Sequence, residues 1–119
     1  WILFKLNDAP VRTEEDGDFN ILVLMDAASC YIVATEFVAV RSKELSKKKS
    51  LSMLKHGKSH KNELPRRIYV PAELAAHRFI AEAQKEGIAC SRAPESELSV
   101  FIEEAREGFQ EHVGVSRLH

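Results

Sequence analysis

The chain has 119 residues, of which 45% are hydrophobic and 29% are charged, with a formal net charge of −1. The length fits one domain and leaves no room for two, and the proportions are ordinary for a globular protein. No apolar run approaches the ~18 residues needed to cross a bilayer, and no signal-peptide pattern opens the chain. Cys30 and Cys90 indicate reduced, partly buried thiols rather than a disulfide scaffold. We therefore expect a cytoplasmic protein with no membrane partner.

The first forty residues predict three strands. Residues Trp1–Leu6 are mostly apolar and β-prone, and a turn at 7–10 and an acidic turn at 13–18 follow them. Phe19–Met25 ends in a continuous apolar run, which is typical of a strand buried on both faces. A short turn then leads to the β-branched and aromatic run Tyr31–Val40, so the second and third strands are expected to form a hairpin.

A helix is predicted over Lys43–His56, with Gly57 as its stop and a mobile loop over 57–64. Its apolar stripe is thin. The run Arg66–Val70 predicts a fourth strand. Pro71 suits the first turn of the next helix, with Glu73 near its positive end.

The apolar positions after Pro71 recur at helical spacing, and Gly87 is expected to close this second helix. A fifth strand is predicted at Ile88–Ala93, and a last helix begins between Pro94 and Glu97. Its apolar stripe comprises Leu98, Phe101, Ile102, Ala105 and Phe109. We expect one domain over residues 1–112 and a tail over 113–119.

The predicted fold class is α/β, with the element order β-β-β-α-β-α-β-α. Strands joined by turns pair antiparallel, whereas strands joined by helices pair in parallel through right-handed crossovers. The order therefore predicts a mixed five-stranded sheet with helices packed on its faces.

Residues 41–67 form the one strongly biased stretch, with ten Lys or Arg against two Glu and a formal charge of +8. Such a cluster releases counterions when it binds a polyanion. It contains no aromatic residue for base stacking, which argues against single-strand recognition. A solvated surface, a protein partner, or the acidic last helix of a second copy remain alternatives. The candidate nucleic-acid-binding residues are Lys47, Lys48, Lys49, Lys55, Lys58, Lys61, Arg66 and Arg67.

Other chemistry has weaker support in the sequence. His56 and His60 have a spacing that suits zinc on one helix face, but Gly57 interrupts the helix and lysines surround the pair. The run from Asp26 to Cys30 is typical of turn chemistry. The glycines are scattered, so no phosphate-binding loop is present. We expect no cofactor, no metal and no nucleophilic site.

The run Ile21-Leu22-Val23-Leu24-Met25-Asp26-Ala27-Ala28-Ser29-Cys30-Tyr31-Ile32-Val33-Ala34 is similar to the second hairpin of integrase cores. The stretch Leu64-Pro65-Arg66-Arg67-Ile68-Tyr69-Val70, followed by a helix and Glu86-Gly87-Ile88-Ala89, is similar to the fourth strand, helix and fifth strand of the same fold. The chain thus resembles the ribonuclease H-like superfold of integrase and transposase cores. Its second half also resembles an uncharacterised bacterial domain family of unknown function.

This resemblance implies two divalent metals held by acids from the first strand, the end of the fourth strand and a helix. Asp8 suits the first position, but Pro71 stands where the second acid is required. The apolar stripe of the last helix places Glu103, Glu104 and Glu107 largely on its solvent side. The superfold is therefore expected to be catalytically degenerate here.

The sequence predicts a non-catalytic interaction or scaffold domain of unknown partner. One alternative is a nucleic-acid-binding module that uses the basic segment 41–67. Another is a divergent metal-dependent nuclease, in which Asp8, Asp26 or Glu36 would converge with acids of the last helix.

Overall fold

The computed structural model describes residues 1–7, 11 and 17–117, with side chains of the last helix described to residue 109. Five strands and three helices follow the predicted order. The strands are β1 (Ile2–Lys5), β2 (Phe19–Asp26), β3 (Tyr31–Ala39), β4 (Arg67–Pro71) and β5 (Ala89–Ala93). The helices are α1 (Lys47–Lys61), α2 (His77–Lys85) and α3 (Glu95–Arg117), and a short 3-10 turn spans Val40–Ser42.

The strands form one mixed sheet in the order β3-β2-β1-β4-β5. β1 and β3 both pair antiparallel with β2, while β4 runs parallel to β1 and to β5. The predicted α/β class, mixed five-stranded sheet and three helices are therefore confirmed. The turns at 8–10 and 13–16 lie outside the described residues.

The β2–β3 hairpin is also confirmed. Its turn is stabilised by Asp26, whose Oδ1 accepts a hydrogen bond from the Ala28 amide at 3.0 Å. Cys30 closes the turn with a φ of 58°, a conformation that is uncommon for a residue other than glycine. The pairing shifts register between Leu24 and Met25, and such bulges increase the local twist of a strand.

The sheet separates two apolar clusters, and β2 contributes to both, as predicted from its continuous apolar run. Alternate residues of a strand point to opposite faces. Leu22 and Leu24 join the cluster that contains Met53 and Leu54 of α1 and Phe79 of α2. Ile21, Val23 and Met25 join the cluster that contains Leu98 and Ile102 of α3. Helices α1 and α2 thus cover one face, and α3 covers the other.

The sequence predicted that Gly57 stops the first helix and that a loop follows it. In the structure Gly57 lies inside the helix, and residues 57–61 are helical. The helix continues to Lys61 and ends at Asn62, which has a left-handed φ of 62°. Asparagine tolerates this conformation at a helix end. Gly57 is buried, and a Cβ added there would lie 2.6 Å from Cζ3 of the Trp1 indole. Its lack of a side chain therefore allows close packing.

Pro71 does not begin the second helix but ends β4, where it is buried. Helix α2 starts later, at His77. Glu73 consequently precedes α2 and does not belong to its first turn. One of its carboxylate oxygens accepts a hydrogen bond from the Glu95 amide at 2.9 Å, at the amino end of α3. The predicted closure of α2 by Gly87 is confirmed by its φ of 81°.

Helix α3 begins at Glu95, inside the predicted window, and continues to Arg117. It therefore runs through most of the segment 113–119 that the sequence assigned to a tail, and residues 118 and 119 lie outside the described residues. No described helix is both long enough and apolar enough to cross a membrane.

Candidate functional site

Four lysines and one leucine share an exposed face of α1, which we call the lysine face. Positions three and four apart on a helix are neighbours, so Leu51 is flanked along the axis by lysines of the turns before and after it. The five side chains are all exposed, and no ion pair joins these lysines to a described residue. The lysine face comprises Lys47, Lys48, Leu51, Lys55 and Lys58.

The other four predicted residues lie elsewhere. The ammonium of Lys49 donates to the Phe37 carbonyl on β3. Lys61 forms an ion pair with Asp26 at 3.0 Å. Arg67 donates to the Ser91 hydroxyl on β5, and Arg66 is exposed at the start of β4. The predicted basic residues are therefore split, and only half of them form one continuous surface.

The ion pair between Lys61 and Asp26 joins the end of α1 to the β2–β3 turn. The Lys61 ammonium donates a hydrogen bond to the Asp26 carboxylate, and this bond holds the pKa of Asp26 below its usual value. A hydrogen bond from the Ala28 amide acts in the same direction. This lysine therefore has a structural partner that the lysine face lacks.

A cleft of about 290 Å³ opens beside the lysine face, between the end of α1 and the end of α2. Three leucines, two lysines and one glutamate line this cleft. Such a cleft accepts a small apolar group with negative charge beside it. The lining residues are Leu51, Leu54, Lys55, Lys58, Leu64 and Glu86.

The carboxyl ends of the parallel strands β1 and β4 meet at one edge of the sheet, which we call the carboxyl edge. Arg106 of α3 lies there, with Nε and Nη2 donating to the Lys5 carbonyl at 3.0 and 2.8 Å. Its Nη2 also lies 2.8 Å from Oε1 of Glu95. The carbonyl of Pro71, at the end of β4, accepts a hydrogen bond from Arg92 at 2.8 Å. Two guanidinium groups thus lie at this edge.

The acids considered for metal binding do not converge among the described residues. Asp26 ends β2, which runs antiparallel to β1, so it lies at the opposite edge. Glu36 pairs with Leu22 of β2, so the two side chains share one side of the sheet. Leu22 packs with residues of α1 on that side, which is opposite to α3. No group of three or more potential ligands occurs within the described part of the chain. Asp8 lies outside it.

The glutamates of α3 form a second charged surface, which we call the glutamate face. Glu103, Glu104 and Glu107 are exposed, as the sequence predicted, and Glu97 is exposed beside them. They surround Val100, which is 77% exposed. Glu97 precedes Val100 by three residues, and the others follow it by three, four and seven.

The histidines and cysteines form no reactive cluster. His56 and His60 are exposed on helix α1 rather than in a loop, and the His60 ring stacks on Tyr31 with centroids 4.6 Å apart. Both cysteines are free thiols. Cys30 is exposed, contrary to the expectation of partial burial, while Cys90 is half-buried, and burial raises its pKa.

Sequence reasoning missed two features of these surfaces. The apolar residue Val100 is out of phase with the buried stripe of α3, so the sequence contained a signal for it. Arg106 had no such signal, because its partner carbonyl on Lys5 is 101 residues away.

No protein-family model matches the chain, and no curated protein matches it.

Proposed function

We propose that this chain is a non-catalytic interaction or scaffold domain with a ribonuclease H-like architecture. The support for the architecture is the element order, the antiparallel meander β1–β3 and the parallel pairs of β4 with β1 and β5. The support for an interaction role is the pair of exposed charged faces on opposite sides of the sheet.

The observation that carries the proposal is the chemistry of the carboxyl edge. A two-metal nuclease needs clustered carboxylates because two hard cations must be neutralised by oxygen ligands. Here the guanidinium of Arg106 lies against the Lys5 carbonyl, and Pro71 ends β4. Pro71 supplies no carboxylate at the position where the second acid is required, and the Arg106 guanidinium is already paired with Glu95.

A cleavage assay tests this proposal. Purified protein is incubated with RNA, DNA and RNA–DNA hybrid in the presence of Mg²⁺ or Mn²⁺, with Asp8→Asn as the matched control. We expect no cleavage above the level of that variant. Divalent-dependent cleavage that disappears in Asp8→Asn would overturn the proposal in favour of a divergent nuclease.

A second candidate function is nucleic-acid binding through the lysine face. The observation that favours it is that Lys47, Lys48, Lys55 and Lys58 share one surface with no acidic partner among the described residues. Counterion release predicts that binding weakens steeply with salt, with a logarithmic slope of about −3 to −4 for four phosphate contacts.

Binding to duplex and single-stranded DNA, measured over a range of salt concentrations, tests this candidate. Lys55→Gln combined with Lys58→Gln should make the salt slope less steep by about two. Lys61→Gln is the matched control, because Lys61 is already paired with Asp26. An absence of binding to either form at low salt would eliminate the candidate.

A further inference from the structure

We propose that the lysine face of one copy docks on the glutamate face of a second copy. This inference rests on the proposed interaction function and names the partner. It commits to a second copy because the two faces are complementary in charge and in the placement of their central apolar residues.

The two faces have matching patterns. Leu51 is preceded by lysines at three and four residues and followed by lysines at four and seven. Val100 is preceded by a glutamate at three residues and followed by glutamates at three, four and seven. Each face therefore places one apolar side chain among four charges of one sign. Two such helices packed side by side bring the apolar residues together and pair the opposite charges.

Exposure and shape support the same contact. Val100 is 77% exposed and Leu51 is 40% exposed, although apolar residues on helices normally face the core. Leu51 also lines the 290 Å³ cleft, together with Lys55 and Lys58. Val100 of a second copy would enter this apolar cleft while its neighbouring glutamates reach the two lysines. Glu86, which also lines the cleft, would repel them, so the two lysines are the favoured partners.

The position of the faces determines the kind of assembly. Helix α1 packs on one face of the sheet, and α3 packs on the other. One contact therefore uses the lysine face of one copy and the glutamate face of the next, and leaves the remaining faces available. This is a head-to-tail contact, which produces open chains or rings rather than a two-fold dimer. A single pair of helices buries little area, so the association is weak and sensitive to salt.

Two variants of the chain test the proposal. One variant replaces Lys47, Lys48, Lys55 and Lys58 with glutamine. The other replaces Glu97, Glu103, Glu104 and Glu107 with glutamine. Circular dichroism establishes that both are folded, and sedimentation velocity at low salt measures their mass over a range of concentrations.

We expect the mass of the wild-type chain to rise with concentration, whereas each variant alone stays monomeric. Mixing the variants leaves one intact face on each partner, so the mixture should form a one-to-one dimer and nothing larger. A wild-type chain that stays monomeric at every concentration, or a mixture that stays monomeric, would overturn the proposal.

The apolar contact has its own test. Val100→Asp should abolish the rise in mass, while the matched variant Val40→Asp, at an exposed valine of the 3-10 turn outside both faces' helices, should not. An equal effect of the two variants would contradict the predicted contact. All these outcomes are independent of the cleavage assay, so failure of the self-association leaves the non-catalytic role to be judged separately.

Discussion

Gly57 and Gly108 both occur inside helices but in different surroundings. Alanine is favoured over glycine in a helix by about 1 kcal/mol. At Gly108 a Cβ would meet no atom within 4 Å, so this gain should be realised. At Gly57 the Cβ would lie 2.6 Å from the Trp1 indole, and such overpacking typically costs about 1–3 kcal/mol.

We therefore expect Gly108→Ala to raise the free energy of unfolding by about 0.5–1 kcal/mol. Gly57→Ala should lower it by about 1–2 kcal/mol, because the overlap outweighs the helical preference. Urea unfolding measures both changes. The single tryptophan of the chain gives an independent readout, since displacement of the indole should shift its fluorescence to longer wavelength. Equal stabilisation by both substitutions, with unchanged emission, would show that Gly57 is not required for this packing.

The ion pair between Asp26 and Lys61 should make stability depend on pH. The folded-state pKa of Asp26 lies below the unfolded value, so the stabilisation is present above a pH of about 4 and is lost as the pH falls further. Lys61→Met should therefore lower the free energy of unfolding at pH 6 by about 0.5–1 kcal/mol.

The effect of Lys61→Met should disappear once Asp26 is protonated in wild type and variant alike. Urea unfolding at pH 6 and at successively lower pH measures how the difference declines. Lys58→Met is the matched control, because Lys58 has no acidic partner among the described residues. A Lys61→Met effect of the same size at every pH would mean that Asp26 is not its cause.

The first turn of helix α1 carries positive side chains, which are unfavourable beside the positive end of the helix dipole. Its first turn contains Lys47, Lys48 and Lys49 and no acid, although Ser46 accepts a hydrogen bond from the Lys49 amide at 3.2 Å. The amino end of a helix carries partial positive charge, so cations there are destabilising by about 0.3–1 kcal/mol each at low ionic strength. Residues that oppose local stability are expected where they serve binding.

Lys47→Glu should consequently raise the free energy of unfolding by about 0.5–1 kcal/mol at low salt, and the gain should shrink as salt is added. Lys58→Glu, in the last turn of the same helix, should have the opposite sign, because a cation is favourable there. Thermal or urea unfolding of the two variants measures both effects. The same sign for both would exclude the dipole as their cause.

The helices also show where sequence reasoning succeeds and where it fails. Apolar spacing predicted the buried stripe of α3, since Leu98 and Ile102 are both in the core. A glycine or a proline is more ambiguous. The sequence alone predicts a helix stop at Gly57, because the packing partner that requires a glycine there, Trp1, is remote in sequence. Pro71 suits both a helix start and a strand end, and the parallel pairing of β4 with β5 decides between them.

At the scale of the molecule, the alternation of strands and helices predicts a mixed sheet, because a helix between two strands favours a parallel crossover and a short turn favours an antiparallel hairpin. Connection length alone does not decide the pairing, since thirteen residues separate β1 from β2 and the two strands still pair antiparallel. The sheet then places the lysine face and the glutamate face on opposite sides. The division of the basic residues was not predictable, because the partners of Lys49, Lys61 and Arg67 come from other elements. The position of Arg106 at the carboxyl edge was not predictable either, because its partner carbonyl belongs to β1.

We propose that the carboxyl edge does not hold catalytic divalent cations. Titration of Mn²⁺ into isotopically labelled protein, followed by paramagnetic broadening of backbone amide signals, tests it most directly. We predict no selective broadening of the amides of Leu6, Asn7 and Ala72, which lie at the ends of β1 and β4. Selective loss of these signals at stoichiometric Mn²⁺, reversed in Asp8→Asn, would show that this edge binds divalent cations and would overturn the proposal.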